Sequence, residues 1–169
     1  PLPSSCMLRF LYTLLFAAFI LSAGAGASNA QDAPRYPEYV QALHQELVPA
    51  LQGRASVDVL TSRGLTPQSA RSIADAYINL FGEDRAGHPD SVAKMFLSRS
   101  AKAFEAIRRC VETRPSEVVL SNFEEDATCQ LSFCRILLQI KAGNETQTYE
   151  VGTIRIADKL HIIHFAATT

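Results

Sequence analysis

The apolar positions of the chain change period once, near Glu117. Upstream of it, Tyr39, Val40, Leu43, Leu47 and Leu51 recur at three- and four-residue spacing, the stripe of an amphipathic helix that Gly53 ends. Thr66 and Pro67 read as an N-cap and first helical residue. Ile73, Ala74, Tyr77, Ile78 and Phe81 then give a second helix its apolar face up to Gly82. After a polar loop with Gly87 and Pro89, residues Val92, Met95, Phe96, Ala103, Phe104, Ile107 and Val111 predict helix over 91–112, with a break near 98–100. From Glu117 the period is two and β-branched residues dominate, which predicts strands at about 117–123, 129–141, 146–156 and 160–167.

Helices followed by a run of strands is an α+β order, with N-terminal helices packed on one face of a four-stranded antiparallel meander. Two turns serve as rulers. Gly143-Asn144 between apolar runs suits a two-residue II′ hairpin, which sets Leu137 opposite Glu150, Arg135 opposite Gly152 and Cys134 opposite Thr153. A second tip at Asp158-Lys159 sets Thr153 opposite His164, aligning Cys134, Thr153 and His164 in one row. Two strand steps separate that cysteine and histidine by roughly 9–10 Å, too far for a thiolate–imidazole pair.

The N-terminus adds an address. Met7 and Arg9 precede an apolar run from Phe10 to Leu21, then small residues and Ser28-Asn29-Ala30, the order of a secretory signal peptide over 7–30. The run is shorter than the roughly 20 residues of a spanning helix, so no stable membrane anchor is expected after cleavage. Residues 1–6 lie upstream of Met7 and receive no role, and 31–169 form one exported domain, secreted or periplasmic. The chain holds 16 Lys+Arg and 17 Asp+Glu, and the leader removes only Arg9. A slightly acidic surface gives no reason to expect a nucleic-acid partner, whose footprint is a basic face.

Cysteine, arginine and histidine carry the candidate chemistry. Cys129 and Cys134 differ by an odd number and fall on opposite faces of a regular strand, so neither a mutual disulfide nor a zinc pattern fits. In an oxidising compartment the preferred pairing is Cys110–Cys129, with Cys129 on the face shared by Leu131, Phe133 and Leu137 and taken to lie beneath the helices. Such a bridge would contribute about 3 kcal/mol. Cys134 then remains a buried thiol, an inert small hydrophobe, or links two chains. Arg135 falls on the same face and needs either Glu150, diagonal to it, or an anionic ligand. With Tyr77, Phe81, Phe96, Phe104 and Phe133, these two residues define a candidate pocket: a polar anchor among apolar walls.

The remaining motifs are weaker. His161 and His164 face opposite ways, His44 and His88 stand apart, and no metal or cofactor is implied. Glu124-Glu125-Asp126 reads as a solvated turn without the alternating spacing of a calcium loop. Asn144-Glu145-Thr146 is a glycan acceptor only in a eukaryotic secretory pathway. Ile136, Leu138, Tyr149, Val151 and Ile162, on the other sheet face, are expected to stand exposed and to pair two chains sheet to sheet.

The stretch SARSIADAYINLFGEDRAGHPDSVAKMFLSRSAKAFEAIRRCVETRPSEVVLSNFEEDATCQLSFCRILLQI, with the closing GTIRIADKLHIIHF, resembles the nuclear transport factor 2-like superfamily, a cone-shaped α+β fold. That superfamily includes isomerases and dehydratases, non-catalytic ligand binders, transport adaptors and periplasmic domains of secretion machines. Its isomerases use an aspartate base with a donor pair, which no residues here match one by one. Glu150 beside Arg135 opposes the raised pKa of a base. The expectation is a non-catalytic exported domain binding a small apolar or anionic ligand or a protein. The alternatives are a pocket enzyme using Arg135 with Glu150 or His164, and an inhibitor or immunity-type protein acting through loops Glu83–Asp90 or Asn122–Thr128.

Overall fold

The computed structural model describes residues 35–127 and 131–169. Residues 1–6, the leader at 7–30 and Cys129 lie outside the described residues. The elements are α1 (Glu38–Leu51), a 3-10 helix (Val57–Arg63), α2 (Pro67–Phe81), the single turn α3 (Glu83–Ala86) and α4 (Pro89–Glu112). They precede β1 (Glu117–Asp126), β2 (Ser132–Ala142), β3 (Glu145–Ile156) and β4 (Lys159–Ala167), which form one antiparallel sheet in the order β1-β2-β3-β4. The α+β meander read from periodicity is the observed architecture.

Local chemistry explains the boundaries. Thr66 Oγ1 accepts from Ser69 N at 3.1 Å while Ser69 Oγ accepts from Thr66 N at 2.9 Å, a reciprocal box that starts α2 at Pro67. Helix α4 runs without the expected break at 98–100. Ser100 faces inward, where its Oγ donates to Ile162 O at 2.8 Å and accepts from Leu65 N at 3.2 Å. The 3-10 helix and α3 were not expected, because neither is long enough to display a period.

The same inward groups close an edge of the sheet. Arg63, only 5% exposed, donates to Glu46 Oε2 and Oε1 at 2.8 Å each and reaches Leu160 O at 3.3 Å. With Ser100 on Ile162 O, two carbonyls along the outer edge of β4 are capped by side chains, which blocks strand addition there.

The first turn behaves as predicted. Ala142 pairs with Glu145, and Leu137–Glu150, Arg135–Gly152 and Cys134–Thr153 face one another. Gly143 has φ +61, and among the described non-glycine residues only Arg114 and Ala157 have positive φ, so Asn144 does not and the turn is of the II′ kind. The second turn differs. Its tip is Ala157-Asp158, one residue earlier than expected, and a bulge follows between Gly152 and Thr153. Thr153 therefore faces Ile162, and His164 faces Gly152, so the Cys134–Thr153–His164 row does not exist.

The two faces of the sheet also exchange roles. Cys134, Ile136, Leu138 and Ile140 lie beneath α1, the 3-10 helix and the C-terminal half of α4, packed with Leu43, Leu47, Leu60 and Ile107. Arg135, Phe133, Leu137 and Glu150 point the other way. The cause is desolvation: the even positions of β2 from 134 to 140 bear no charge, whereas the odd face holds Arg135 with Glu150 beside it. Ile136, Leu138, Val151 and Ile162 are thus the main core, not an exposed patch, and the surface invoked for sheet-to-sheet pairing is filled by the chain's own helices. A second cluster roofs one end of the odd face, where Ile73 and Tyr77 of α2 and Val92 and Phe96 of α4 meet Ile154 and Ile163.

Candidate functional site

The odd face brings the candidate residues together unevenly. The Tyr77 ring lies tilted at 4.7 Å from Phe81 and edge-on at 6.0 Å from Phe96, and Phe133 packs against the same cluster. Phe104 does not join them. It packs on the main core, and its ring would lie 3.4 Å from a Cβ placed on Gly64.

Of the two partners the sequence allows Arg135, the chain supplies its own. Arg135 Nε meets Glu150 Oε2 at 3.1 Å and Nη1 meets Glu124 Oε2 at 2.8 Å, with side chains 18% and 9% exposed for Arg135 and Glu150. Glu124 comes from the acidic run expected to be a solvated turn. That run instead continues β1 to Asp126, because Glu124 pairs with Arg135 on one face and Glu125 with Arg155 on the other.

Between Arg135 on β2 and His164 on β4 lies Gly152, paired with both. A Cβ there would sit 2.8 Å from His164 Cβ, so only glycine fits, and the His164 side chain packs against the Gly152 backbone on the side away from Arg135. Ile154, the next residue of β3 on this face, is fully buried in the aromatic cluster. Burial lowers the pKa of His164; the Glu150 carboxylate opposes the shift and the Arg99 guanidinium adds to it. Arg99 also acts on Tyr77, whose pKa burial raises. Arg99 is the residue that sequence reasoning missed. Its signal was the polar triplet Ser98-Arg99-Ser100 inside a helical period, which reads equally as a helix break.

The cysteines are placed for packing. Burial, with the nearby Glu125 carboxylate, pushes Cys134 up to about 12, so its thiol stays protonated. Cys110 is a free buried thiol, raised by burial against hydrogen bonds with Tyr149 and Thr113. The expected Cys110–Cys129 bridge falls on Cys129, outside the described residues. At the opposite end of the core face, Tyr39 Oη donates to Glu125 Oε2 at 2.6 Å and Arg155 Nε to Glu125 Oε1 at 2.9 Å. The Arg155 guanidinium also stands 5.0 Å from the Tyr39 ring centre.

Among the described residues no three His, Cys, Asp or Glu side chains are grouped to hold a metal ion, and no helix is long and apolar enough to cross a membrane. The molecule is therefore defined by class as an α+β chain with a half-covered sheet face, polar at its centre and aromatic at one end. Comparison with known proteins finds no matching family model, no matching curated protein and no matching solved structure.

Proposed function

We propose that this chain is a non-catalytic, exported small-ligand-binding domain of the nuclear transport factor 2-like kind. The ligand lies on the odd sheet face beneath α2 and the N-terminal half of α4. The observation that carries this reading is the grouping of Arg135, Glu150 and His164 around Gly152 on the sheet face whose other end holds Tyr77, Phe96 and Phe133. A few polar groups converging beside apolar walls is the composition of small-molecule sites. The leader pattern supports export, and the order of helices before a meander supports the kinship.

Two observations favour binding over catalysis. Glu150 is held in an ion pair by Arg135 at 3.1 Å, and the Cys134 thiol is protonated at neutral pH and 2% exposed. The test is a thermal-shift series on the purified chain with straight-chain carboxylates and their amides, followed by amide chemical-shift mapping. Binding raises the midpoint and moves the resonances of Gly152, Ile154 and Phe133. A series in which nothing raises the midpoint overturns the reading.

A further inference from the structure

The two edges of the sheet are finished differently. Along β4, Arg63 and Ser100 cap the carbonyls of Leu160 and Ile162, and the 3-10 helix lies against the strand. Along β1, which is 10 residues long, no hydrogen bond from outside the sheet reaches the backbone of residues 117–125 among the described residues. Gln52 Nε2 comes nearest, donating at 3.0 Å to Ser116 O, just before the strand begins. Every second residue of an edge strand turns its N–H and C=O away from its neighbour, so β1 offers a row of unpaired backbone groups. The bulge at Ser121 is closed toward β2, where Ser121 Oγ donates to Leu137 O at 3.0 Å, and pairing resumes at Asn122.

The side chains of β1 state what this edge fits. The strand carries Glu117, Glu124, Glu125 and Asp126 and no Lys or Arg. Arg135 is shared between Glu124 and Glu150, Arg155 is taken by Glu125, and Lys141 faces Glu117 across the strands, so the carboxylates outnumber the cations beside them. On the core side Leu120 and Phe123 are only half-buried, and on the odd face Val119 is 44% exposed. We propose that β1 accepts an extended basic segment of a partner protein as a further strand of the sheet. Its apolar side chains lie beside Leu120 and Phe123, and its Lys or Arg side chains alternate with them to lie beside Glu117 and Glu124. Backbone pairing supplies the affinity, and the alternation fixes the register. A second copy of the chain is a poorer occupant: β1 paired antiparallel with itself about its midpoint sets Glu117 against Asp126, and like charges directly opposite destabilise a strand pair.

The probe is a dye-labelled decamer of alternating lysine and valine, titrated against the full chain by fluorescence anisotropy. Its controls are a block peptide of the same composition, all lysines before all valines, and an alternating glutamate–valine decamer. The lysine–valine peptide should bind about tenfold tighter than either control. It should also slow amide exchange in residues 117–125 and leave exchange in β4 unchanged. V119K and E117K, at exposed positions where the melting temperature should stay that of the parent, should each weaken its binding about tenfold. Equal binding of the alternating and block peptides overturns strand addition, and tighter binding of the glutamate peptide overturns the basic character of the partner. Absence of binding, or protection that falls elsewhere than β1, overturns the proposal outright. A concentration-dependent dimer that V119K breaks gives the edge to a second copy and overturns the partner assignment. All four of these results leave the small-molecule reading of the odd face standing.

Discussion

Gly152 and His164 face each other across β3 and β4 so closely that a methyl group at 152 would stand 2.8 Å from His164 Cβ. The contact is with Cβ and not with the ring, so no rotamer of the histidine relieves it. Gly152→Ala should therefore cost about 1–3 kcal/mol by overpacking. His164→Ala, which keeps a Cβ, should not rescue it, whereas the G152A/H164G pair should recover most of the loss. Urea midpoints of the four variants form a double-mutant cycle that reads this coupling directly.

The edge of β4 depends on Arg63, whose guanidinium pairs with Glu46 and reaches Leu160 O while 5% exposed. Arg63→Ala leaves Glu46 unpaired and one edge carbonyl uncapped, and should destabilise by about 3 kcal/mol. Ser100→Ala removes the Ile162 cap together with the acceptor for Leu65 N and should cost about 1–2 kcal/mol. Both losses should appear with faster amide exchange in β4 than in β2.

Acid should weaken the fold in two stages with different origins. His44, His161 and His164 all have pKa values lowered by burial, so between the ordinary value of 6.5 and their folded values the unfolded chain binds more protons. Stability is then highest above pH 6.5 and falls as pH drops through that window. Glu46 and Glu125 are held below the ordinary 4.5, by hydrogen bonds from Arg63 and from Tyr39 respectively, so their contribution persists above 4.5 and is lost below it. Urea titrations at successive pH values should show both declines, and His44→Gln should flatten only the first. His44 is the sharpest probe because its Nε2 is buried without a hydrogen-bond partner among the described residues.

Thiol reactivity should be confined to unfolded chain at the two described cysteines. Cys134 is pushed up to about 12 and Cys110 is raised, both by burial, so neither offers thiolate at neutral pH. Site-resolved alkylation should leave Cys110 and Cys134 unmodified in buffer and label both in denaturant; rapid labelling of native Cys134 would contradict its packing.

The second hairpin carries strain that can be relieved. Ala157 occupies φ +54 at the first position of its turn, a conformation that costs a residue with a Cβ about 1 kcal/mol. Ala157→Gly should raise the melting temperature despite glycine's greater freedom in the unfolded chain. A drop in melting temperature would mean that the turn is held by something other than its own backbone preference.

The alternation of residues around Gly143-Asn144 was enough to determine, from sequence alone, the α+β order, the helix stripes and every pairing of β2 with β3, because these depend on period and turn chemistry within a short span of chain. Tertiary structure decided which face became the core. Cys134, Ile136, Leu138 and Ile140 offered an uncharged face, and helices from distant parts of the chain covered it in preference to desolvating Arg135 and Glu150. It also decided the candidate site. The β4 bulge put His164 rather than Ile163 opposite Gly152, and an unbroken α4 carried Arg99 within electrostatic range of His164. Neither event leaves a periodic trace, since a bulge adds a single residue and the role of an arginine depends on which carboxylates reach it through space.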